Sequence, residues 1–255
     1  MHIIPAVHPP VEAAHVATRP VAPLGLAGAA WTVTRPVPVE RDGTLSLVGV
    51  WIVDLDDARA PQGSELAAGL SGDELAGASS RSIDVARRWL RSHYSLRRIL
   101  GACLDQDPAS LKIESTELGQ PFVDGARGFA FSLSHSWDRA LVAVSRAGAV
   151  GVDVERIRPG LHETAIAQRI IGGGASETLE KTTPSSRTDA FFRMWVRHEA
   201  ALKCRGVGLV AAIGSDVADG LAITDVEVGV GYTGALATDS PALLISTPIR
   251  YDWSL

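Results

Sequence analysis

The chain has 255 residues, 46% of them hydrophobic, and it carries a formal net charge of -5 with a pI near 5.8. Its length and apolar content predict a buried core in one or two domains, and its acidic balance argues against a nucleic-acid-binding protein. No apolar run is long enough to cross a bilayer, and the first residues lack the pattern of a signal peptide. The two cysteines form neither a disulfide framework nor a metal-binding pattern. We therefore expect a cytoplasmic protein.

Residues 1–44 are rich in proline, alanine and valine. Proline at this density disfavours helix interiors and central strands, so we expect a partly ordered arm. The apolar run "LSLVGVWIVDLDD" (45–57) predicts a buried strand, and the small and polar residues after it predict a linker. Apolar residues that recur on one face predict a long helix from Ser82 to Leu104. This helix carries five arginines: Arg87, Arg88, Arg91, Arg97 and Arg98.

The rest of the chain is predicted to contain further strands and a second long helix. Strands are indicated by the apolar and β-branched stretches 111–123, 129–155, 222–230 and 235–255. A short helix is predicted at 162–174, and the glycine-rich stretch 172–187 predicts a flexible loop. The second long helix covers 188–209, with Thr188 or Asp189 as its N-cap and Gly206 at its end.

The two halves of the chain resemble each other. The pairs that align are "WLRSHYSLR" (89–97) with "WVRHEAALK" (195–203), and "VGVWIVDLD" (48–56) with "VGVDVERIR" (150–158). This repeat predicts a duplicated α+β unit with subdomains at 45–149 and 150–255 and a cleft between them. The first copy has Trp51 and Val53 at the places of Asp153 and Glu155, so only the second copy has carboxylates there, which predicts one site at the interface rather than two.

Three carboxylates are the candidate metal ligands. Asp153 and Glu155 alternate with valines in a strand, so both side chains point to the same face, while Glu199 lies in the second long helix. The simpler interpretation of Asp153 and Glu155 is that they are solvated residues on an exposed strand face. The simpler interpretation of Glu199 is an exposed ion pair with Lys203. If the three acids converge, their repulsion is relieved by a divalent cation such as Mg²⁺, which prefers oxygen ligands. Without the metal, one acid is expected to have a raised pKa.

The stretch "FSLSHS" (131–136) alternates serines with apolar residues and one histidine. In a strand, His135 shares a face with Phe131 and Leu133, and the three serines occupy the other face. A core histidine is the simpler interpretation, and the absence of a G-x-S-x-G motif disfavours a nucleophilic serine. Together with the arginine-rich helix, the hydroxyls and the imidazole predict a phosphate-binding site, although several of the arginines are expected to be solvated.

Four short motifs occur in a specific order. They are "GQP" (119–121), "SHS" (134–136), "GVDVE" (151–155) and "WVRHEAALKCRGVG" (195–208). Their order and spacing resemble the Sfp-type 4′-phosphopantetheinyl transferases, which load acyl and peptidyl carrier proteins. This resemblance implies two similar α+β halves related by a pseudo-twofold axis, with coenzyme A between them, in agreement with the internal repeat.

The resemblance also implies an activity and a set of site residues. The 4′-phosphopantetheine group of coenzyme A would pass to a serine of an apo carrier protein, releasing adenosine 3′,5′-bisphosphate, and the enzyme would act as a monomer. Mg²⁺ or Mn²⁺ would be held by Asp153, Glu155 and Glu199. Glu199 would also take the serine proton, with His135 and Lys203 neutralising phosphate charge. The implied coenzyme-binding residues are Arg88, Gly119, Gln120, Pro121, Ser134, His135, His198 and Lys203.

The sequence departs from the family pattern at two of these positions. His198 stands where the family has a lysine, so His198→Lys is expected to preserve or improve activity near neutral pH. Gln120 replaces the lysine of the usual G-K-P motif. Two alternatives remain open at this point. One is a coenzyme-A-binding homologue with weakened catalysis, and the other is a metal-dependent phosphate hydrolase.

Overall fold

The computed structural model describes residues 48–146, 148–207, 217–240 and 245–254, so the predicted proline-rich arm lies outside the described residues. The helices are α1 (Gly63–Ala68), α2 (Gly72–Ala78), α3 (Ile83–Leu104), α4 (Glu163–Ile170), α5 (Gly173–Lys181) and α6 (Pro184–Arg205). The strands are β1 (Val48–Asp54), β2 (Ile113–Ser115), β3 (Pro121–Val123), β4 (Ala130–Ser136), β5 (Arg139–Ser145), β6 (Val150–Arg156), β7 (Ala222–Val226), β8 (Tyr232–Thr238) and β9 (Ile249–Arg250). The fold class is α+β, as predicted.

The first sheet has the strand order β4-β5-β1-β9 and is covered by α3. Strands β4, β5 and β1 are antiparallel, and β9 runs parallel to β1. Leu96, Ile99 and Leu100 of α3 are buried in one core with Trp51 and Val53 of β1. The end of the chain returns to this core, since β9 belongs to this sheet. The predicted division at residue 150 is therefore crossed by the last strand and stays a prediction.

The second sheet has the order β6-β8-β7 and carries α6. Gly151 of β6 makes this close packing possible. A Cβ added at Gly151 would lie 2.1 Å from the carbonyl oxygen of Ala200 and 2.3 Å from the backbone nitrogen of Cys204. Because these backbone atoms of α6 occupy the space of a methyl group, only glycine allows the helix to lie directly on the strand. Each half thus has a 22-residue helix on an antiparallel arrangement of strands; the duplication itself stays a proposal.

Strand β4 lies beside β6 and joins the two sheets through its serine face. The backbone nitrogen of Val152 donates to Ser132 Oγ at 3.1 Å, and that of Arg156 donates to Ser136 Oγ at 3.1 Å. The opposite face of β4 contributes Phe131 to the first core. The alternation predicted for "FSLSHS" is confirmed.

Two local predictions are wrong. Residues 172–187 are not a loop, because α5 occupies Gly173–Lys181. Helix α6 begins at Pro184 with Thr183 as its N-cap residue, so it starts before the predicted caps Thr188 and Asp189. A proline in the first turn costs no hydrogen bond, since that backbone position has no partner within the helix. The predicted end is confirmed, because Gly206 adopts a left-handed conformation with φ of 67°.

No helix among the described residues is long and apolar enough to cross a membrane.

Candidate active site

A cavity of about 690 Å³ lies between α2, α3, the β2–β3 turn, β4 and α6. Strand β4 contributes His135 to its wall, and α6 contributes Glu199 and Lys203. The remaining wall is largely apolar and includes Trp89 and Phe131. A cavity of this size, with charged groups of both signs among apolar ones, fits a small ligand that combines an apolar part with a charged part.

Asp153 is buried, with 5% relative exposure, beside this cavity. Its Oδ1 atom accepts a hydrogen bond from Ser134 Oγ at 2.6 Å and an ionic hydrogen bond from Lys203 Nζ at 2.8 Å. Its Oδ2 atom accepts no hydrogen bond from any described residue. The interpretation of Asp153 as a solvated strand residue is therefore wrong. Lys203 forms its ion pair with Asp153 and not with Glu199, so the interpretation as an exposed Glu199–Lys203 pair is wrong as well.

Glu155 lies two residues further along β6 and points the same way as Asp153, as predicted. Its Oε2 atom accepts from Ser136 Oγ at 2.7 Å and pairs with Arg158 at 3.4 Å. Its side chain is one-quarter exposed. The serine face of β4 thus holds both carboxylates of β6, because Ser134 binds Asp153 and Ser136 binds Glu155. Fixed carboxylates of this kind are prepared to bind a cation rather than free to turn to solvent.

Glu199 lines the cavity wall on α6. Burial raises the pKa of its carboxyl group above the ordinary 4.5, the negative charge of Asp153 and to a smaller extent that of Glu155 raise it further, and Lys203 opposes them. The prediction that one of the three acids has a raised pKa is confirmed, with burial as the first cause. The dependence of this pKa on Asp153 and Glu155 also shows that the three acids share one electrostatic environment.

The residues present fit a hard divalent cation. Among the described residues, no three His, Cys, Asp or Glu side chains are close enough to form a complete ligand cluster. However, Asp153 has a buried oxygen without a partner among those residues, and Glu199 is partly buried beside other negative charges. Buried carboxylate oxygens without compensation are costly, and carboxylates are ligands that Mg²⁺ and Mn²⁺ accept. A cation at this position would remove that cost.

The turn between β2 and β3 forms another wall of the cavity. Gly119, Gln120 and Pro121 all line it. Gly119 has φ of 83°, a conformation that favours glycine, and the Gln120 backbone is tied to Thr116, whose Oγ1 accepts from its nitrogen at 3.1 Å. The Gln120 side chain lies close to Gly206 at the end of α6. The turn is therefore held in a defined position against the helix that carries Glu199.

Comparison with known proteins decides the family. Residues 149–243 match the model of the 4′-phosphopantetheinyl transferase superfamily. The 4′-phosphopantetheinyl transferase HetI of Nostoc sp. is 32% identical over 212 residues, which cover 82% of this chain and 81% of the relative. A 4′-phosphopantetheinyl transferase of Bacillus subtilis is 27% identical over 153 residues, covering 56% of this chain and 67% of the relative. AcpT of Salmonella typhimurium, also named a 4′-phosphopantetheinyl transferase, is 30% identical over 134 residues, covering 52% of this chain and 68% of the relative.

The chain belongs to the 4′-phosphopantetheinyl transferase superfamily. It is therefore an enzyme of this transferase type, as the motifs predicted. The family match covers β6, α6 and β8, the elements that carry Asp153, Glu155, Glu199 and Lys203.

Three residues assigned to coenzyme binding do not line the cavity of the transferase in this structure. Arg88 is not among the lining residues, and its guanidinium instead pairs with Asp56 at 2.5 Å and lies 4.8 Å from the ring centroid of Trp137. Ser134 faces Asp153 instead of the cavity. His198 points into the protein, where it is 7% exposed, and its Nε2 atom has no hydrogen-bond partner among the described residues. Burial lowers the pKa of His198, so its imidazole is neutral at pH 7.

Two more arginines of α3 bind loops of the chain itself, although Arg97 also lines the cavity. Arg91 is buried and donates to the carbonyl oxygens of Leu55 at 2.7 Å and Ala60 at 3.1 Å. Arg97 is buried as well; it pairs with Glu74 at 2.7 Å and donates to the Leu111 carbonyl at 3.0 Å. These guanidinium groups hold loops against α3. The prediction that the α3 arginines form a phosphate site is not supported for these two.

Sequence reasoning missed the part of the transferase cavity formed by α2 and the middle of α3. Ser71, at the N-cap of α2, forms a capping box with Glu74, and both residues line the cavity together with Trp89 and His93. The pattern S-x-x-E in "SGDE" is a recognised helix start and would have identified α2 within the predicted linker. Nothing comparable marks His93, because its position in the cavity depends on how α3 packs against α2 and β4.

Proposed function

We propose that this transferase moves the 4′-phosphopantetheine group of coenzyme A to a serine of an apo acyl or peptidyl carrier protein, releasing adenosine 3′,5′-bisphosphate. Family membership supports this reaction class. The observation that carries the proposal is Asp153, a buried carboxylate bound by Ser134 and by the cavity-lining Lys203, with one oxygen uncompensated among the described residues. We further propose that the enzyme acts as a monomer, because the site residues come from a single chain.

Coenzyme A fits the division of the cavity into apolar and cationic parts. The adenine would lie beside Gly119, Gln120 and Pro121, where the wall has backbone and apolar atoms. The phosphates would lie near His135 and Lys203, which are the groups of β4 and α6 that can carry positive charge. Lys203 already neutralises Asp153, so it can be shared between the carboxylate and a phosphate oxygen.

The cation would be Mg²⁺ or Mn²⁺, with Asp153, Glu155 and Glu199 as its protein ligands. When bound, it supplies positive charge to the diphosphate oxygens on which negative charge increases during phosphoryl transfer. The role of Ser134 and Ser136 in this scheme is to orient the Asp153 and Glu155 carboxylates through hydrogen bonds. We therefore revise the role of Ser134 from a phosphate contact to a positioning residue.

Glu199 is the candidate general base. The carrier serine oxygen would attack the phosphorus that bears the pantetheine arm, a new P–O bond would form, and the bond to adenosine 3′,5′-bisphosphate would break. The serine proton would pass to Glu199, directly or through water. A positioned base contributes about 10²-fold or more to such a rate.

The test is mass spectrometry of an apo carrier protein incubated with the transferase, coenzyme A and Mg²⁺. The proposal predicts that the carrier gains one phosphopantetheine group, and that Glu199→Gln loses this activity while remaining folded. Coenzyme A breakdown without a carrier would favour a phosphate hydrolase instead. Binding of coenzyme A with no modification of several apo carriers would favour the catalytically weakened homologue.

A further inference from the structure

His93 lies in the cavity wall, but neither the motifs nor the family match assigns it a role. Its ring stacks on Trp89 of the preceding helical turn, with centroids 3.8 Å apart and an interplanar angle of 29°. The Nδ1 atom lies 2.9 Å from the Trp89 carbonyl oxygen and 3.3 Å from Ser92 Oγ. The ring is thus held in one orientation at the edge of the cavity.

These contacts determine which ring nitrogen carries the proton. The Trp89 carbonyl can only accept a hydrogen bond, and the Ser92 hydroxyl already donates its hydrogen to that same carbonyl at 2.7 Å. Both neighbours of His93 Nδ1 therefore act as acceptors, and Nδ1 carries the hydrogen. Nε2 remains as the polar atom that the ring can offer to the cavity. It is an acceptor when the imidazole is neutral and a donor when it is protonated.

Several basic side chains lie around His93 at this end of the cavity. His135 of β4 is exposed to solvent on one side, yet its pKa is lowered to about 4, first by the protein packed around its imidazole and then by His93, Lys203 and Arg81. The pKa of His93 is also lowered, first by burial, with Arg81 and Arg97 contributing, while its bond to the Trp89 carbonyl and the charge of Glu74 oppose the shift. Each of the charged or titratable groups that shift the pKa of His135 is a base.

Lys203 is paired with Asp153, and the acids of α2 are either bound to other groups or exposed. Glu74 faces His93 from α2, but its Oε2 atom already accepts from Arg97 Nε at 2.7 Å and from the Ser71 backbone nitrogen at 2.7 Å. Asp73, the other acid of α2 in the cavity wall, is exposed to solvent. An anion from outside the chain that contacts both His93 and His135 would favour the protonated forms of the two imidazoles.

We infer that His93 binds a phosphate group of coenzyme A through its Nε2 atom, and that it takes up a proton from solvent when the coenzyme binds. This inference rests on the proposed function, which supplies coenzyme A as the ligand. The terminal 3′-phosphate is the group that fits, because a phosphate monoester carries close to two negative charges at pH 7 and accepts several hydrogen bonds. His93 is then a binding residue on α3 that faces His135 on β4 across the anion.

Proton uptake gives the inference a distinctive pH dependence. His93 is mostly neutral at pH 7 in the protein alone, since its pKa is lowered, and the dianion favours its charged form. The dissociation constant for coenzyme A should therefore rise with pH, starting below the ordinary histidine value of about 6.5 and continuing up to the raised pKa of the bound state, by up to about tenfold per pH unit for one proton. The second ionisation of the phosphate itself, near pH 6, acts in the opposite direction.

Isothermal titration calorimetry with coenzyme A and with dephospho-coenzyme A, which lacks the 3′-phosphate, tests the inference without any carrier protein. Titrations in two buffers with different ionisation enthalpies give the number of protons taken up. His93→Asn keeps a polar group near the Trp89 carbonyl but removes the Nε2 position. His93→Gln places an amide near that position but cannot titrate. The matched control is His162→Gln, at an exposed histidine outside the cavity wall.

We expect His93→Asn to weaken coenzyme A binding about tenfold at pH 6.5 and to leave dephospho-coenzyme A binding unchanged. His93→Gln should retain part of the affinity but lose the proton uptake, and His162→Gln should match the wild type. Unchanged coenzyme A affinity and proton uptake in both His93 variants would overturn the inference. Equal losses for the two coenzymes would also overturn it, because they would show that the ring only supports Trp89. A wild type that binds neither coenzyme would refute the proposed function itself.

Discussion

Replacing Gly151 by alanine tests how the fold positions the site. The new methyl carbon would lie 2.1 Å from the Ala200 carbonyl oxygen and 2.3 Å from the Cys204 nitrogen. Both are backbone atoms, so α6 must move away from β6 by about 1 Å to reach an ordinary van der Waals separation. Overpacking of this kind costs about 1–3 kcal/mol, and we expect the upper end because no flexible side chain can yield. That corresponds to a fall in Tm of about 6–12 °C.

The same shift should damage catalysis, because Glu199 precedes Ala200 on α6 and Asp153 lies two residues after Gly151 on β6. Misplacement by about 1 Å costs about 10² in rate. The assay is carrier loading followed by mass spectrometry, with thermal unfolding measured on the same preparations. Gly174→Ala in α5 is the matched control, because its methyl group meets open space among the described residues. A Gly151→Ala variant with wild-type Tm and activity would refute the packing argument.

Three further predictions concern the site. Glu199→Gln should reduce carrier loading at least about 10²-fold. With a chelator present to remove metal, the Tm of Glu199→Gln should exceed the wild-type Tm, and the difference should grow as pH rises above 4.5. The reason is that a raised pKa in the folded state means that ionisation of Glu199 opposes folding. A Tm difference that is constant across pH would contradict this. Ser134→Ala should lower activity about tenfold by releasing Asp153, with Ser132→Ala as a comparison outside the acid pair; equal effects would argue against positioning. His198→Lys should lower Tm and should not raise activity, because it buries an ammonium group; full activity at wild-type Tm would restore the earlier expectation.

The strands, and the common face of Asp153 and Glu155, were predictable because their signals are local. The two-residue period of a strand placed the serines of β4 on one face and both acids of β6 on another, and the structure brings these two faces together. Helix α6 was also predicted by its pattern, although its start was missed. The pair Thr183–Pro184 is a valid signal for the start of a helix. It was missed because it follows a glycine-rich stretch that was read as a loop.

The arginines of α3 were not predictable, because charge alone does not reveal a partner. Arg91 and Arg97 extend inward to backbone carbonyls of loops that are distant in sequence, and Arg88 meets Asp56. The position of His198 illustrates the same limit. His198 and Glu199 are adjacent in the chain, yet helical geometry directs His198 into the core and Glu199 to the cavity. Such choices depend on which face of a helix the tertiary structure covers.

The most direct test of the central claim is a titration with Mn²⁺ followed by electron paramagnetic resonance, in the presence of coenzyme A. The account predicts one bound Mn²⁺ per chain in the wild type. It also predicts binding weakened by about tenfold or more in each of Asp153→Asn, Glu155→Gln and Glu199→Gln, since each variant removes a charged ligand. Mn²⁺ binding that is unchanged in all three variants would show that these carboxylates do not hold the cation.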